Sequence, residues 1–188
     1  MRAPFTSQIA LQSYRLPSMT AAHTLEETER QVSTLLKGMN IDFKAMGVVS
    51  NLFRAANSAR NHLEREVLSK HGLSWTGFVV LWVVWVWESI ETREIAEEVG
   101  TSKATLSGVL KTLEREGLVI KKQSKTDRRL VLVSMTKDGK KMMKKIFPEF
   151  NQHEVLLTSS LKLSTQEATA DALRSITLNS QKVRTKKF

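Results

Sequence analysis

The chain has 188 residues with a formal net charge of +10, 41% hydrophobic and 26% charged residues, and no cysteine. That length and apolar share suit a globular core with arms rather than a disordered chain. The charge favours polyanionic partners, and the lack of cysteine excludes disulfides, thiolate metal sites and thiol redox switching.

In chain order, residues 1–20 read as a flexible N-terminal arm with Pro4 and Pro17. Arg2 and Arg15 flank no continuous apolar core, so no signal peptide is expected. Thr24 and Glu27 fit a capping box, predicting a short helix to about Lys37, ended by Gly38. A longer helix is predicted over about 42–70, capped by Gly72. Val48, Val49, Leu52, Phe53, Ala56, Ala59, Leu63 and Val67 fall along one face.

The ten-residue run from Phe78 to Trp87 is too short to span a bilayer, and no membrane partner is expected. Its residues favour a strand by propensity, but Ser74 as N-cap and the helical surroundings favour a buried helix. Ile90, Glu91 and Thr92 lead into a helix to Val99, closed by Gly100. Ser102 caps the next helix, whose Leu106, Val109, Leu110 and Leu113 form a core stripe, and Gly117 stops it. Residues 118–122 and 130–135 read as a paired hairpin. Thr136 caps a lysine-rich helix that Pro148 should kink or interrupt. Ser164 and Glu167 suggest a second capping box, opening a last helix to about Ser180, and residues 182–188 form a basic tail expected to fray.

The helix pair over 93–115 has the tight Gly100 connection and exposed polar second face of a helix–turn–helix. Ser102, Lys103, Ala104 and Thr105 open that second helix, where base edges are usually met, and Ser107 and Lys111 continue the face. The hairpin gathers Lys121, Lys122, Lys125, Arg128 and Arg129 around one acid, Asp127. Such a tip is drawn to phosphates, and an arginine there can enter a narrow minor groove. Asp127 can accept from Arg129 and hold it extended. The fold class is therefore mainly α with a small β-wing: a winged helix–turn–helix. Double-stranded DNA is the expected partner, and the recognition face is the site.

These residues resemble the MarR family of winged-helix transcription regulators. The match is closest at Asp127-Arg-Arg-Leu-Val-Leu-Val-Ser-Met-Thr-Lys-Asp-Gly139. It continues in order through Gly72-Leu-Ser, Ile95-Ala, Thr105-Leu-Ser and Leu113-Glu-Arg-Glu-Gly-Leu-Val119. Met135 stands where the family has leucine, and Gly108 where a larger, often basic, side chain is common. The lack of cysteine fits a cytoplasmic location, and the resemblance implies a homodimer, most often a repressor, with Arg129 in the minor groove and Asp127 positioning it. Residues 21–71 and 137–181 would form the dimerisation region, and 72–136 the DNA-binding domain. Two recognition helices would then read half-sites about 34–36 Å apart.

Many relatives take a small aromatic or phenolic ligand between these regions. Trp75, Trp82, Trp85, His62, His71 and Arg54 are candidates for such a cleft, with Arg60 as an alternative to Arg54, although core packing is the favoured reading of the tryptophans. His23, His62, His71 and His153 are too scattered for a zinc site within one chain, so no metal or cofactor is expected. No phosphate loop, paired catalytic carboxylates or nucleophile motif supports an enzyme. The competing reading is a winged helix that organises DNA or holds a protein partner without a single regulated operator. Binding with little sequence preference would mark the first of these, and no duplex binding the second.

Overall fold

Two local devices start the N-terminal helices of the structure, a computed structural model that describes residues 23–124, 127 and 129–185. The expectations for residues 1–20, Lys125 and Arg128 fall outside the described residues. Two compact units are distinguished, Met1–Leu52 and Phe53–Phe188. In the first, the Glu27 N–H donates to Thr24 Oγ1 at 3.1 Å and the Thr24 N–H donates to Glu27 Oε2 at 2.8 Å. This capping box starts α1, Leu25–Leu35, which ends slightly short of the expected boundary. Asp42 Oδ1 accepts from the N–H groups of Lys44 and Ala45, both at 2.9 Å, and starts α2, Phe43–Glu66.

α2 stops before the predicted boundary. Val67 leaves helical geometry, Leu68–His71 form one tight 3-10 turn, and Gly72 closes it. Val67, Leu68 and Leu73 are all buried there. Of the predicted apolar stripe on α2, Leu63 and Val67 are inside, whereas Val48, Val49 and Phe53 stand exposed.

The aromatic run forms α3, Trp75–Trp87, as expected, with the Gly77 N–H donating to Ser74 Oγ. Phe78, Val80, Leu81, Val83 and Val84 are buried, so contacts around the helix outweigh its β propensity. Glu88 follows at φ 59°, a strained value for a side-chain-bearing residue. The turn delivers the chain into β1, Ser89–Glu91, a strand absent from the sequence reading. β1 pairs antiparallel with β3 (Val131–Met135), Ile90 opposite Val133. β3 also pairs with β2 (Val119–Gln123), Val119 opposite Met135. The sheet order is β1-β3-β2.

α4, Thr92–Val99, and α5, Lys103–Arg115, flank the Gly100 turn. Gly100 sits at φ 67°, and the Thr101 N–H donates to Ala96 O at 3.0 Å, so the backbone reverses in a left-handed cap that favours glycine. α6, Lys137–Thr158, runs on through Pro148 without interruption. Pro148 and Lys144, whose carbonyl loses its donor there, are both exposed, so solvent can replace the missing bond. α7, Leu163–Thr185, begins ahead of Ser164. Lys162 O accepts from the N–H groups of Thr165 (2.9 Å) and Gln166 (3.0 Å), so Ser164 lies inside the helix and the expected second capping box is not its start. The tail backbone stays helical to Thr185 rather than fraying at Lys182.

Leu81, Ile95, Leu113, Val133, Met143 and Ile146 bring α3, α4, α5, β3 and α6 into one core. Each such side chain contributes roughly 1.5–3 kcal/mol when removed from water. No described side chain of α1 or α7 is buried. Among the described residues no helix is long and apolar enough to cross a membrane.

Thr136 joins the sheet to α6. Its hydroxyl donates to Gly117 O at 2.6 Å and accepts from the Gly139 N–H at 2.9 Å, while its own N–H donates to Leu118 O at 3.1 Å. A Cβ at Gly139 would stand 2.2 Å from Leu118 O. Gly139→Ala should therefore lower stability by about 1–3 kcal/mol, read as a lower urea midpoint at unchanged m. An unchanged midpoint would mean that α6 can move off the Leu118 carbonyl at no cost.

Candidate nucleic-acid interface

The N-terminus of α5 is a polar edge raised from the core. Ser102 Oγ accepts from the Thr105 N–H at 3.1 Å and meets Thr105 Oγ1 at 2.9 Å. This cap satisfies an orphan donor and fixes where the helix begins. Leu106, Leu110 and Leu113 point into the core, while Ser102, Lys103, Ala104, Thr105, Ser107 and Lys111 are all exposed. The expected recognition face is thus one continuous surface. Gly108 leaves open space beside it, with nothing within 4 Å of a built Cβ.

The hairpin supplies the second surface. Asp127 Oδ1 accepts from the main-chain N–H of Arg129 at 2.9 Å, and Asp127 O accepts from the Leu130 N–H at 3.0 Å. The Asp127 N–H donates to Ser124 Oγ at 3.3 Å, and the Ser124 N–H donates to Leu130 O at 2.9 Å. Asp127 therefore ties the turn through the Arg129 backbone, and the Arg129 side chain stands exposed. Lys122 is exposed as well.

Lys121 behaves differently. Its Nζ pairs with Glu114 Oε2 of α5 at 2.8 Å. Asp127 is thus not the one acid that answers the hairpin cations. Glu114 lies seven residues before Lys121, and only the α5–β2 reversal makes them neighbours.

α5 and the hairpin enclose a cleft of about 470 Å³ lined on one side by Lys103, Leu106, Ser107 and Leu110, and on the other by Lys121, Arg129, Leu130 and Val131. Glu91, Thr92 and Arg93, from β1 and the start of α4, line it too. Sequence reasoning missed Thr92 and Arg93, because the strand β1 that carries them into place has only three residues. Arg93 pairs with Glu97 at 2.9 Å along its own helix. None of the six candidate ligand residues lines this cleft.

Five of those six serve as a packing surface for α6. Trp82 stacks on Phe147 at 4.8 Å between centroids, and Trp85 meets Trp82 and Phe147 edge-on at 5.8 and 5.9 Å. Trp75 lies 6.3 Å from Phe150. His71 Nε2 approaches Glu149 Oε2 at 3.4 Å, and Lys70 Nζ reaches Glu149 Oε1 at 3.0 Å. His62 Nε2 lies 2.9 Å from His153 Nδ1. Arg54, the sixth, is half-buried on α2. Burial chiefly, then the neighbouring His153, holds the His62 imidazole below its usual value. Glu66 pulls the other way, and Arg65 adds a smaller lowering. Lys70 first, and then His71, hold the Glu149 carboxyl below its usual range against a smaller cost of burial.

The MarR family profile matches residues 73–131. The uncharacterized HTH-type transcriptional regulator YwaE of Bacillus subtilis (strain 168) is 39% identical over 158 residues, 82% of this chain and 92% of that protein. A mutant MarR from E. coli complexed with operator DNA superimposes with a TM-score of 0.65, at 19% identity over 71% of this chain and 95% of that one. Bordetella bronchiseptica BpsR, whose DNA binding is regulated by 6-hydroxynicotinic acid, gives a TM-score of 0.64 at 23% identity over 70% of this chain and 98% of that one. At these identities the solved structures share the fold.

The His62 environment sets a pH dependence. The folded chain holds His62 below the ordinary value of about 6.5, so the unfolded chain takes up that proton first as pH falls. The contribution is fully present above about pH 6.5 and is lost as the pH falls through the folded value. His62→Asn should therefore shrink the drop in thermal midpoint between about pH 7.5 and pH 5.5. Equal drops in variant and parent would remove His62 from the acid response.

Proposed function

Because the chain belongs to the MarR family of helix–turn–helix transcriptional regulators, we propose that it binds a pseudo-palindromic duplex operator as a homodimer. α5 lies in the major groove and the β2–β3 hairpin in the adjacent minor groove. The protein is a DNA-binding regulator rather than an enzyme. The observation that carries the operator reading is the exposed row from Ser102 to Lys111 set beside the exposed Arg129 across one cleft. Short hydroxyls and lysine suit base edges and phosphates, and Arg129 suits the negative potential of a minor groove. The regulator acts in the cytoplasm as a repressor in this reading.

Homodimerisation is supported by apolar surface left uncovered in each unit. Leu25, Leu35, Phe43, Val48 and Val49 are exposed in the first, and Phe53, Val155, Leu156, Leu163, Leu173 and Leu178 in the second. Soluble monomers rarely leave large apolar patches uncovered, and a helix without a packed face is marginal in water. Residues 21–71 and 137–181 form the dimerisation region in this reading. A small aromatic acid, of the kind that regulates BpsR, would enter by displacing the Trp82, Trp85 and Phe147 packing. Such entry would shift the spacing of the two recognition helices and release the operator.

Arg129→Ala should weaken operator binding by about 1–3 kcal/mol and lower the salt slope by about one, measured by fluorescence anisotropy over a salt series. Parental affinity and slope in that variant would contradict the wing assignment. Leu173→Glu should turn the dimer into a folded monomer with weak operator binding. A sedimentation experiment that still finds dimers would take α7 out of the interface.

A further inference from the structure

A helix in the major groove and a hairpin in the neighbouring minor groove must straddle the sugar–phosphate strand between those grooves. If α5 and the hairpin bind as proposed above, that strand runs through the cleft between them. Four cations line this cleft: Lys103, Arg129, Lys121 and Arg93, with Glu91 as the lining acid. Two of the four are already answered. Arg93 Nε lies 2.9 Å from Glu97 Oε1, and Lys121 Nζ lies 2.8 Å from Glu114 Oε2. Neither carboxylate lines the cleft, so each holds its cation from outside it.

We infer that these two ion pairs are exchangeable phosphate contacts. The free chain keeps Arg93 and Lys121 neutralised, and on a duplex both turn to the strand between the grooves and give up Glu97 and Glu114. The Arg93–Glu97 side chains are 75% and 64% exposed, and the Lys121–Glu114 side chains 31% and 41%. Exposed pairs of this kind are weakly held. A guanidinium gains a planar two-point contact with phosphate, and each phosphate neutralised releases condensed counterions. The pairs act as a brake: they reduce the pull of the cleft on any polyanion, so the residues that read bases retain more of the discrimination. Arg93 thereby joins the DNA-contacting residues, and Glu97 and Glu114 become positioning residues that oppose binding.

Phosphate contacts carry no sequence information, so the test needs no known operator. The probe is a fluorescein-labelled mixed-sequence duplex of about 30 base pairs, titrated by anisotropy at about 50 and 200 mM KCl. Glu97→Gln and Glu114→Gln should each tighten binding by about three- to tenfold at the lower salt, with less gain at the higher. Glu98→Gln removes the same charge one residue along α4, where no ion pair is described, and should change binding far less. In an Arg93→Gln background, Glu97→Gln should add nothing. Equal tightening by Glu98→Gln would reduce the effect to bulk charge and overturn the inference. So would parental affinity in both paired variants while Arg129→Ala still weakens binding; that result would leave the operator reading intact. No duplex binding by the parent, or no effect of Arg129→Ala, would defeat the operator reading and this inference together.

Discussion

The first turn of α6 comes so close to the Leu118 carbonyl that residue 139 has no room for a Cβ. Thr136 bridges the same point, bonding to Gly117, Leu118 and Gly139. This joint ties together the end of α5, the start of β2, the end of β3 and the start of α6. The orientation of the hairpin relative to α5 depends on it, and so does the cleft between them. Any movement of α6 acts directly on the base of the hairpin. An effector that pushed on the Phe147 and Phe150 face of α6 would have this route to the proposed DNA-reading surface.

Charge works on a finer scale than the net +10 suggests. Lys103, Lys122 and Arg129 stand exposed, but Lys121 is matched by Glu114 and Arg93 by Glu97. A wholly unopposed cationic cleft would attract any polyanion, while a partly compensated one leaves more of the selectivity to base contacts. Asp127 sits in the turn for a different reason. Its carboxylate shapes the main chain at Arg129, which sets where the side chain starts from.

Much of this was legible in the sequence where one local rule dominated. Ser74, Ser102 and Thr136 each cap the helix that the residue pattern assigns to them, because capping is decided within three residues. The polar residues from Ser102 to Lys111 are exposed together because burial of Leu106, Leu110 and Leu113 fixes the rotation of α5. The failures arise where something other than the residue pattern decides. β1 is three residues long and exists only because β3 offers an edge. The Ser164 box lost to a helix start set by the Lys162 carbonyl and by Gln166, whose amide donates to Thr158 O and Leu161 O. Pro148 is tolerated because its broken bond faces solvent. The stripe on α2 looked like core along its length, yet Phe53 is 65% exposed. Sequence periodicity marks a face to be buried but not whether this chain or a second copy covers it.

The proposed regulator reads duplex DNA with one α5–hairpin face, and two copies read it together. Selecting bound duplexes from a random-sequence library tests this most directly. The expected result is a two-fold symmetric motif whose half-sites are about one helical turn apart. An unrepeated motif would contradict the paired reading, and no enrichment at all would contradict sequence recognition by this face.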